Sequence, residues 1–137
     1  TVKNLLITNK KKQVLLLSKT VPGKTHDLTI MKGVGKRLRF FKRFRFAGDL
    51  GFQGIRKCFP KINIRMPKKK PKNGNLTATD LTKNKVISRF RVRVEHSIGG
   101  IKRYRCLTDV YRNIRSNLDD QMMLVASGIW NLHQATA

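Results

Sequence analysis

Cysteine is nearly absent from this sequence. Cys58 and Cys106 stand alone, without the CxxC spacing of a zinc site or the even framework of a disulfide scaffold. A reducing, intracellular setting is the expectation. Long apolar runs are missing as well. The longest, Val14–Leu17 and Met122–Ala126, fall far short of the roughly 20 residues that a membrane helix needs, so no membrane partner is expected. Nothing at the N-terminus reads as a signal peptide. Internal repeats, low-complexity tracts and long linkers are also lacking, so the 137 residues point to one domain over 1–137. Acid is the scarcest chemistry. Only 7 Asp+Glu oppose 31 Lys+Arg, and Glu95 is the sole glutamate.

What is present is positive charge. The formal balance is +24, with 39% hydrophobic residues. That apolar share suffices for a core, so a wholly disordered chain is excluded. A charge of this size repels itself in a small domain unless a polyanion relieves it. Each phosphate contact releases condensed counterions, which makes nucleic acid the expected partner. The cations run through Lys10–Lys12, Lys36–Arg45, Lys68–Lys72 and Arg89–Arg105. For Lys68–Lys72 a backbone clamp and a plain loop remain open.

The patterning predicts a mixed α/β arrangement. Val2–Ile7 and Gln13–Ser18 read as a hairpin across Asn9–Lys12, closed by turn chemistry at Thr20–Gly23. A short helix starts at Thr25 or His26 and breaks at Gly33 and Gly35. Arg37–Arg43 is a second candidate helix. Arg43–Ala47 alternates cation and aromatic, and Ile62, Ile64 and Met66 alternate again, giving two strands. A long helix is expected from about Thr79 to Tyr104, with Thr77 or Thr79 as cap and Ile87, Phe90, Val94, Ile98 and Ile101 as its stripe. The last helix runs from about Leu118 to His133. Asn117 is its candidate cap, and Asp119 and Asp120 sit in its first turn. Its apolar residues predict a well-buried element.

Two acids are placed for chemistry. Asp49 follows a strand and Glu95 lies on a later helix. Carboxylates so arranged hold divalent metal against phosphate, because Mg²⁺ takes oxygen ligands and shares substrate oxygens. The bland reading of Glu95 is an i,i+4 surface ion pair with Arg91. Gly99 and Gly100 argue for more, since each mid-helix Gly costs about 1 kcal/mol. They suggest that a packed backbone or a DNA strand needs room there.

The wording around these acids is specific. Pro22–Asp27, Ala47–Gly54, Pro67–Pro71 and Arg91–Arg103 occur in this order, followed by Tyr111-Arg112-Asn113 and Trp130–His133. The series resembles the C-terminal part of the DDE transposases of bacterial insertion sequences, in the subgroup related to Harbinger-type transposases. The resemblance runs from residue 1 to residue 134. It implies a ribonuclease H-like mixed sheet with flanking helices and a carboxylate triad binding Mg²⁺ or Mn²⁺. Asp49 matches the family's second Asp, with Phe52 where Tyr is usual. Glu95 matches its Glu. Asp49 and Glu95 are thus the expected catalytic residues and, with Asp27 in support, the expected metal ligands. Arg89, Arg91, Arg93, Lys102, Arg103 and Arg105, expected on the helix of Glu95, are the candidate DNA contacts, with Gln53 and His26.

One departure stands out. No acid precedes Asp27, so the family's first Asp and the strand that carries it are missing from this sequence. The expectation is an N-terminally truncated catalytic domain that works on transposon ends and target DNA. A homo-oligomer on DNA or an upstream-encoded fragment would partner it, in a bacterial cytoplasm at the nucleoid. The alternative is a catalytically dead relic that acts only as a basic DNA-binding protein.

Overall fold

Lys12 adopts a left-handed backbone with φ 64°, and the chain reverses there between two short strands. The computed structural model describes residues 2–38, 43–109 and 115–136. It divides into two compact units, Thr1–Lys24 with Arg93–Ala137, and Thr25–Val92.

In the first unit β2 (Leu6–Thr8) pairs antiparallel with β3 (Val14–Leu17), in the register Leu6↔Leu17 and Ile7↔Leu16. Asn9 builds the turn. Its N–H donates to the Gln13 carbonyl at 2.9 Å, and its carbonyl accepts from Lys12 N–H at 3.1 Å. Its side-chain Oδ1 also accepts from Gln13 N–H at 2.9 Å. The predicted strand Val2–Ile7 is in fact broken. β1 (Val2–Lys3) pairs with β4 (Val21–Pro22), a segment the sequence marks as turn. Side chains supplement one backbone bond between them: Ser18 N–H donates to Leu5 O at 2.9 Å, Ser18 Oγ accepts from Leu5 N–H at 2.8 Å, and Asn4 Nδ2 donates to Thr20 Oγ1 at 2.9 Å. Pro22 is tolerated because, among the described residues, β4 pairs on one side with β1.

The last helix, α5 (Leu118–Thr136), packs on β3. Ile101, Ala126 and Trp130 form the core here, with Leu6, Val14, Leu107 and Met123 against it. Trp130 Nε1 donates to the Lys12 carbonyl at 2.8 Å, and Ser97 Oγ donates to the same oxygen at 2.8 Å. Asn131 brackets the edge of β3, accepting from Val14 N–H at 2.6 Å and donating to Val14 O at 2.9 Å. Asp120 Oδ1 accepts from Thr20 N–H, and Asp119 Oδ1 accepts from Asp120 N–H. Asn117 does not take an extended cap conformation; it is left-handed, with φ 62°. The expected deep burial of α5 does not hold. Leu124, Val125 and Leu132 are 65%, 60% and 66% exposed, because the face that packs on the hairpin carries Ala126 and Trp130 instead.

The second unit holds α1 (Asp27–Gly33) and α2 (Gly35–Leu38), so the helix does break at the two glycines. Residues 39–42 of the predicted second helix lie outside the described residues. β5 (Arg45–Ala47) and β6 (Asn63–Arg65) pair in parallel, Phe46 opposite Ile64. A 3₁₀ turn over Leu50–Phe52 and α3 (Ile55–Cys58) connect them. Ile30, Met31, Ile55, Ile62, Ile64 and Ile87 are the buried apolar residues of this unit, with Val34.

The long helix α4 spans Ala78–Ile101 and crosses from the second unit into the first. Thr77 caps it, accepting from Asp80 N–H at 3.2 Å. It stops earlier than Tyr104. After Gly99 and Gly100, weak helix formers, the bonds tighten to the i,i+3 type, Arg103 N–H to Gly100 O and Tyr104 N–H to Ile101 O. A 3₁₀ turn over Arg105–Leu107 follows. The inward stripe also differs from the expected one. Ile87, Ser97 and Ile101 are buried, Phe90 and Ile98 are exposed, and Asp80, Asn84 and Arg91 occupy half-buried positions on the inward side. Polar residues hold those positions because each has a partner. Asn84 brackets the Lys68 backbone at 2.8 and 3.0 Å, and Asp80 Oδ2 meets Lys68 Nζ at 2.6 Å. Lys68 is therefore tied to α4 through its backbone and ammonium, although it is exposed like Lys69 and Lys70.

Candidate functional site

Asp49 stands where a parallel strand gives way to a tight turn. β5 ends at Ala47, and Gly48 N–H continues the ladder to Arg65 O at 2.9 Å. The Ile64 side chain packs closely over Gly48, where a Cβ would lie 2.8 Å from Ile64 Cδ1 and force that methyl to shift. Asp49 then caps the 3₁₀ turn in extended conformation, its Oδ1 accepting from Leu50 N–H at 2.7 Å. The side chain is 51% exposed. Its second oxygen, Oδ2, faces Arg91 Nη2 at 3.2 Å.

Asp27 approaches the same turn from α1. The carboxylate lies directly over Gly51, where a Cβ would fall 2.5 Å from Asp27 Oδ2. His26 caps α1, its Nδ1 accepting from Leu28 N–H at 3.3 Å. Gln53 follows the 3₁₀ turn and is exposed, beside Gly54 at φ 86°. The second unit thus brings together Asp27, Asp49 and Arg91 around one turn, with His26 and Gln53 at the ends of the elements that build it.

Glu95 lies on α4 one helical turn past Arg91, in the portion that belongs to the first unit, and is exposed. Arg89 and Arg93 flank Arg91 on the same helix, both exposed. Lys102, Arg103 and Arg105 do not share it, because the helix ends at Ile101. Lys102 and Arg103 stand in the closing turn and Arg105 opens the following 3₁₀ turn; all three are exposed. Gly100 is explained by neither a backbone nor a DNA strand. The Trp130 ring lies directly over it, where a Cβ would collide. Gly99 has nothing within 4 Å of its Cβ position.

Among the described residues no three His, Cys, Asp or Glu side chains group closely enough to hold a metal ion. The donors present nonetheless suit a hard cation. Asp27 and Asp49 offer carboxylate oxygens beside one turn, and Asp49 keeps half its surface open to solvent. No helix of the described residues is long and apolar enough to cross a membrane.

One feature escaped the sequence. An apolar groove of about 300 Å³ lies between α5 and the turn after α4, lined by Tyr104, Cys106, Leu118, Met122, Val125 and Ile129. Periodicity marks these α5 residues as a buried stripe and gives no sign that the face stays open.

The model of the DDE superfamily endonucleases matches residues 1–131. The chain belongs to this family. It is also 30% identical, over 135 residues, to the probable transposase for insertion sequence element IS702 of Microchaete diplosiphon. That match covers 98% of the chain and 47% of the relative, so the chain spans about half the length of the transposase it resembles. No solved structure matches it. The blocks around Asp49 and Glu95 both lie within the family match.

Proposed function

We propose that this chain forms the C-terminal part of a DDE transposase catalytic domain, in which Asp49 and Glu95 are two of three carboxylates holding Mg²⁺ or Mn²⁺. The observation that carries this reading is the placement of Asp49. It sits at the mouth of a parallel strand pair, half exposed, in a turn narrowed by Gly48 and Gly51. The ribonuclease H-like sheet that the family resemblance implies stays part of this proposal, because the strands described form three separate two-stranded sheets. Asp27 is the first acid in the sequence, and it supports the turn of Asp49 in this reading.

A divalent metal held by these carboxylates would activate a water or 3′-hydroxyl and offset charge on the leaving oxygen. The chain's own residues do the rest. Asp49 and Glu95 provide the oxygen donors. Asp27 packs against Gly51 and fixes the turn from which Asp49 projects. Arg89, Arg91 and Arg93 on α4, and Lys102, Arg103 and Arg105 beyond it, take DNA phosphates and set the strand in register. His26 and Gln53 stand at the ends of the same elements, where they reach DNA. The substrates are transposon ends and target DNA, acted on by an oligomer or by this chain together with the remainder of the transposase.

Plasmid nicking by the full-length transposase containing this chain tests the reading. Divalent-metal-dependent nicking is expected, lost with Asp49→Asn or Glu95→Gln. Nicking that survives both substitutions rejects the assigned roles. A charge of +24 favours one further reading, a binder without catalysis. That reading predicts steeply salt-dependent DNA binding and no metal requirement.

A further inference from the structure

Asp49 has both carboxylate oxygens engaged by the chain itself. Oδ1 accepts from its own turn at Leu50 N–H, and Oδ2 faces the Arg91 guanidinium at 3.2 Å. We propose that Arg91 is a cation placeholder: it neutralises Asp49 until a divalent metal takes Oδ2, and the freed guanidinium then turns to a DNA phosphate. This rests on the reading of Asp49 as a metal ligand.

Three observations support it. The contact joins two separate elements, since Arg91 on α4 meets Asp49 at the start of the 3₁₀ turn after β5. The pair is open to water. Both side chains keep much of their surface exposed, 38% for Arg91 and 51% for Asp49, and an exposed ion pair adds little stability. A weak pair is easily exchanged. Finally, a metal on Oδ2 and a guanidinium a few ångströms away repel each other, so the two cannot share that oxygen without cost. A guanidinium displaced there remains in a strongly basic stretch, between Arg89 and Arg93, and its planar fork suits phosphate oxygens. Metal loading and phosphate capture are then linked, and each strengthens the other.

The test is Mn²⁺ binding to the chain, read from the electron paramagnetic resonance signal of free Mn²⁺. Arg91→Met is expected to tighten binding about tenfold, the scale of one unit charge acting on a divalent ion across a few ångströms of wet surface. Arg91→Gln should do the same, which guards against a variant that misfolds. Arg89→Met, which removes the same charge two residues away, should change little. In the wild type Mn²⁺ should strengthen DNA binding more than it does in Arg91→Met. Unchanged or weaker Mn²⁺ binding in both Arg91 variants overturns the proposal, as does an equal gain in Arg89→Met. If the Arg91 variants bind more tightly but Asp49→Asn in the Arg91→Met background keeps the gain, the role of Asp49 as a ligand fails, and the placeholder fails with it. If Asp49→Asn abolishes binding while the Arg91 variants match the wild type, only the placeholder fails.

Discussion

The indole Nε1 of Trp130 donates to the carbonyl of Lys12 across 118 residues of chain. Lys12 is the left-handed residue of the hairpin turn, so this bond fixes the last helix against the first turn. Ser97 donates to the same oxygen from α4. Three distant segments therefore converge on one backbone carbonyl. Trp130→Ala should destabilise the chain by about 3–5 kcal/mol, through lost packing and a vacated ring site. Trp130→Phe keeps most of the ring and loses the N–H, at about 1 kcal/mol. Urea unfolding midpoints check both. Equal midpoints for the wild type and Trp130→Ala would show that the indole does not hold this unit.

The two adjacent glycines of α4 should behave oppositely. A Cβ at Gly100 runs into the Trp130 ring, so Gly100→Ala should cost about 1–3 kcal/mol from overpacking. A Cβ at Gly99 meets nothing within 4 Å, so Gly99→Ala should stabilise the helix by up to about 1 kcal/mol. Thermal melts of the two variants separate them. The same sign for both would contradict the ring placement.

Asp80 sets a pH dependence in the other unit. The Lys68 ammonium beside it, and then Thr77, hold its carboxyl below the ordinary value of 3.8. A carboxyl lowered by folding contributes its stability above the unfolded value. That contribution should be complete above pH 3.8 and disappear as pH falls through the lowered value. Asp80→Asn should flatten this acid limb and leave stability near neutrality little changed, because the pair with Lys68 is largely at the surface. An unchanged acid limb would contradict the assignment.

The exposed face of α5 predicts tolerance where the sequence pattern predicts core. Leu124→Gln and Leu132→Gln should each shift stability by no more than about 0.5 kcal/mol. Ile101→Ala, at a fully buried site, should cost about 2–5 kcal/mol. Unfolding midpoints of the three variants check this, and large losses at Leu124 and Leu132 would contradict the open face. No Lys or Arg falls within this helix, in a chain that carries 31.

Local signals were legible in the sequence and long-range partners were not. The hairpin around Asn9–Lys12, the strands at Arg45–Ala47 and Asn63–Arg65, and the start of α4 at Thr77 all follow from turn residues, alternation and capping chemistry. The pairing of β1 with β4 was hidden, because Val21-Pro22 reads as a turn and its partner lies far back in the chain. Periodicity marked the apolar stripe of α5 and could not say which part of it meets the hairpin. On α4 the inward residues Asp80, Asn84 and Arg91 are polar, so their role depends on partners at Lys68 and Asp49 that no spacing rule connects. The block around Asp49 was legible for a different reason: Gly48 and Gly51 each answer a close approach, from Ile64 and from Asp27.

The most direct test of the central claim is to map the metal on the protein itself. Fe²⁺ takes the same oxygen donors as Mg²⁺ and, with ascorbate and peroxide, cuts the backbone beside the site that binds it. In the full-length transposase containing this chain, cuts are predicted next to Asp49 and next to Glu95, suppressed by excess Mg²⁺ and lost in Asp49→Asn. Cuts confined to other segments, or cuts at both positions that persist in Asp49→Asn, would contradict the account.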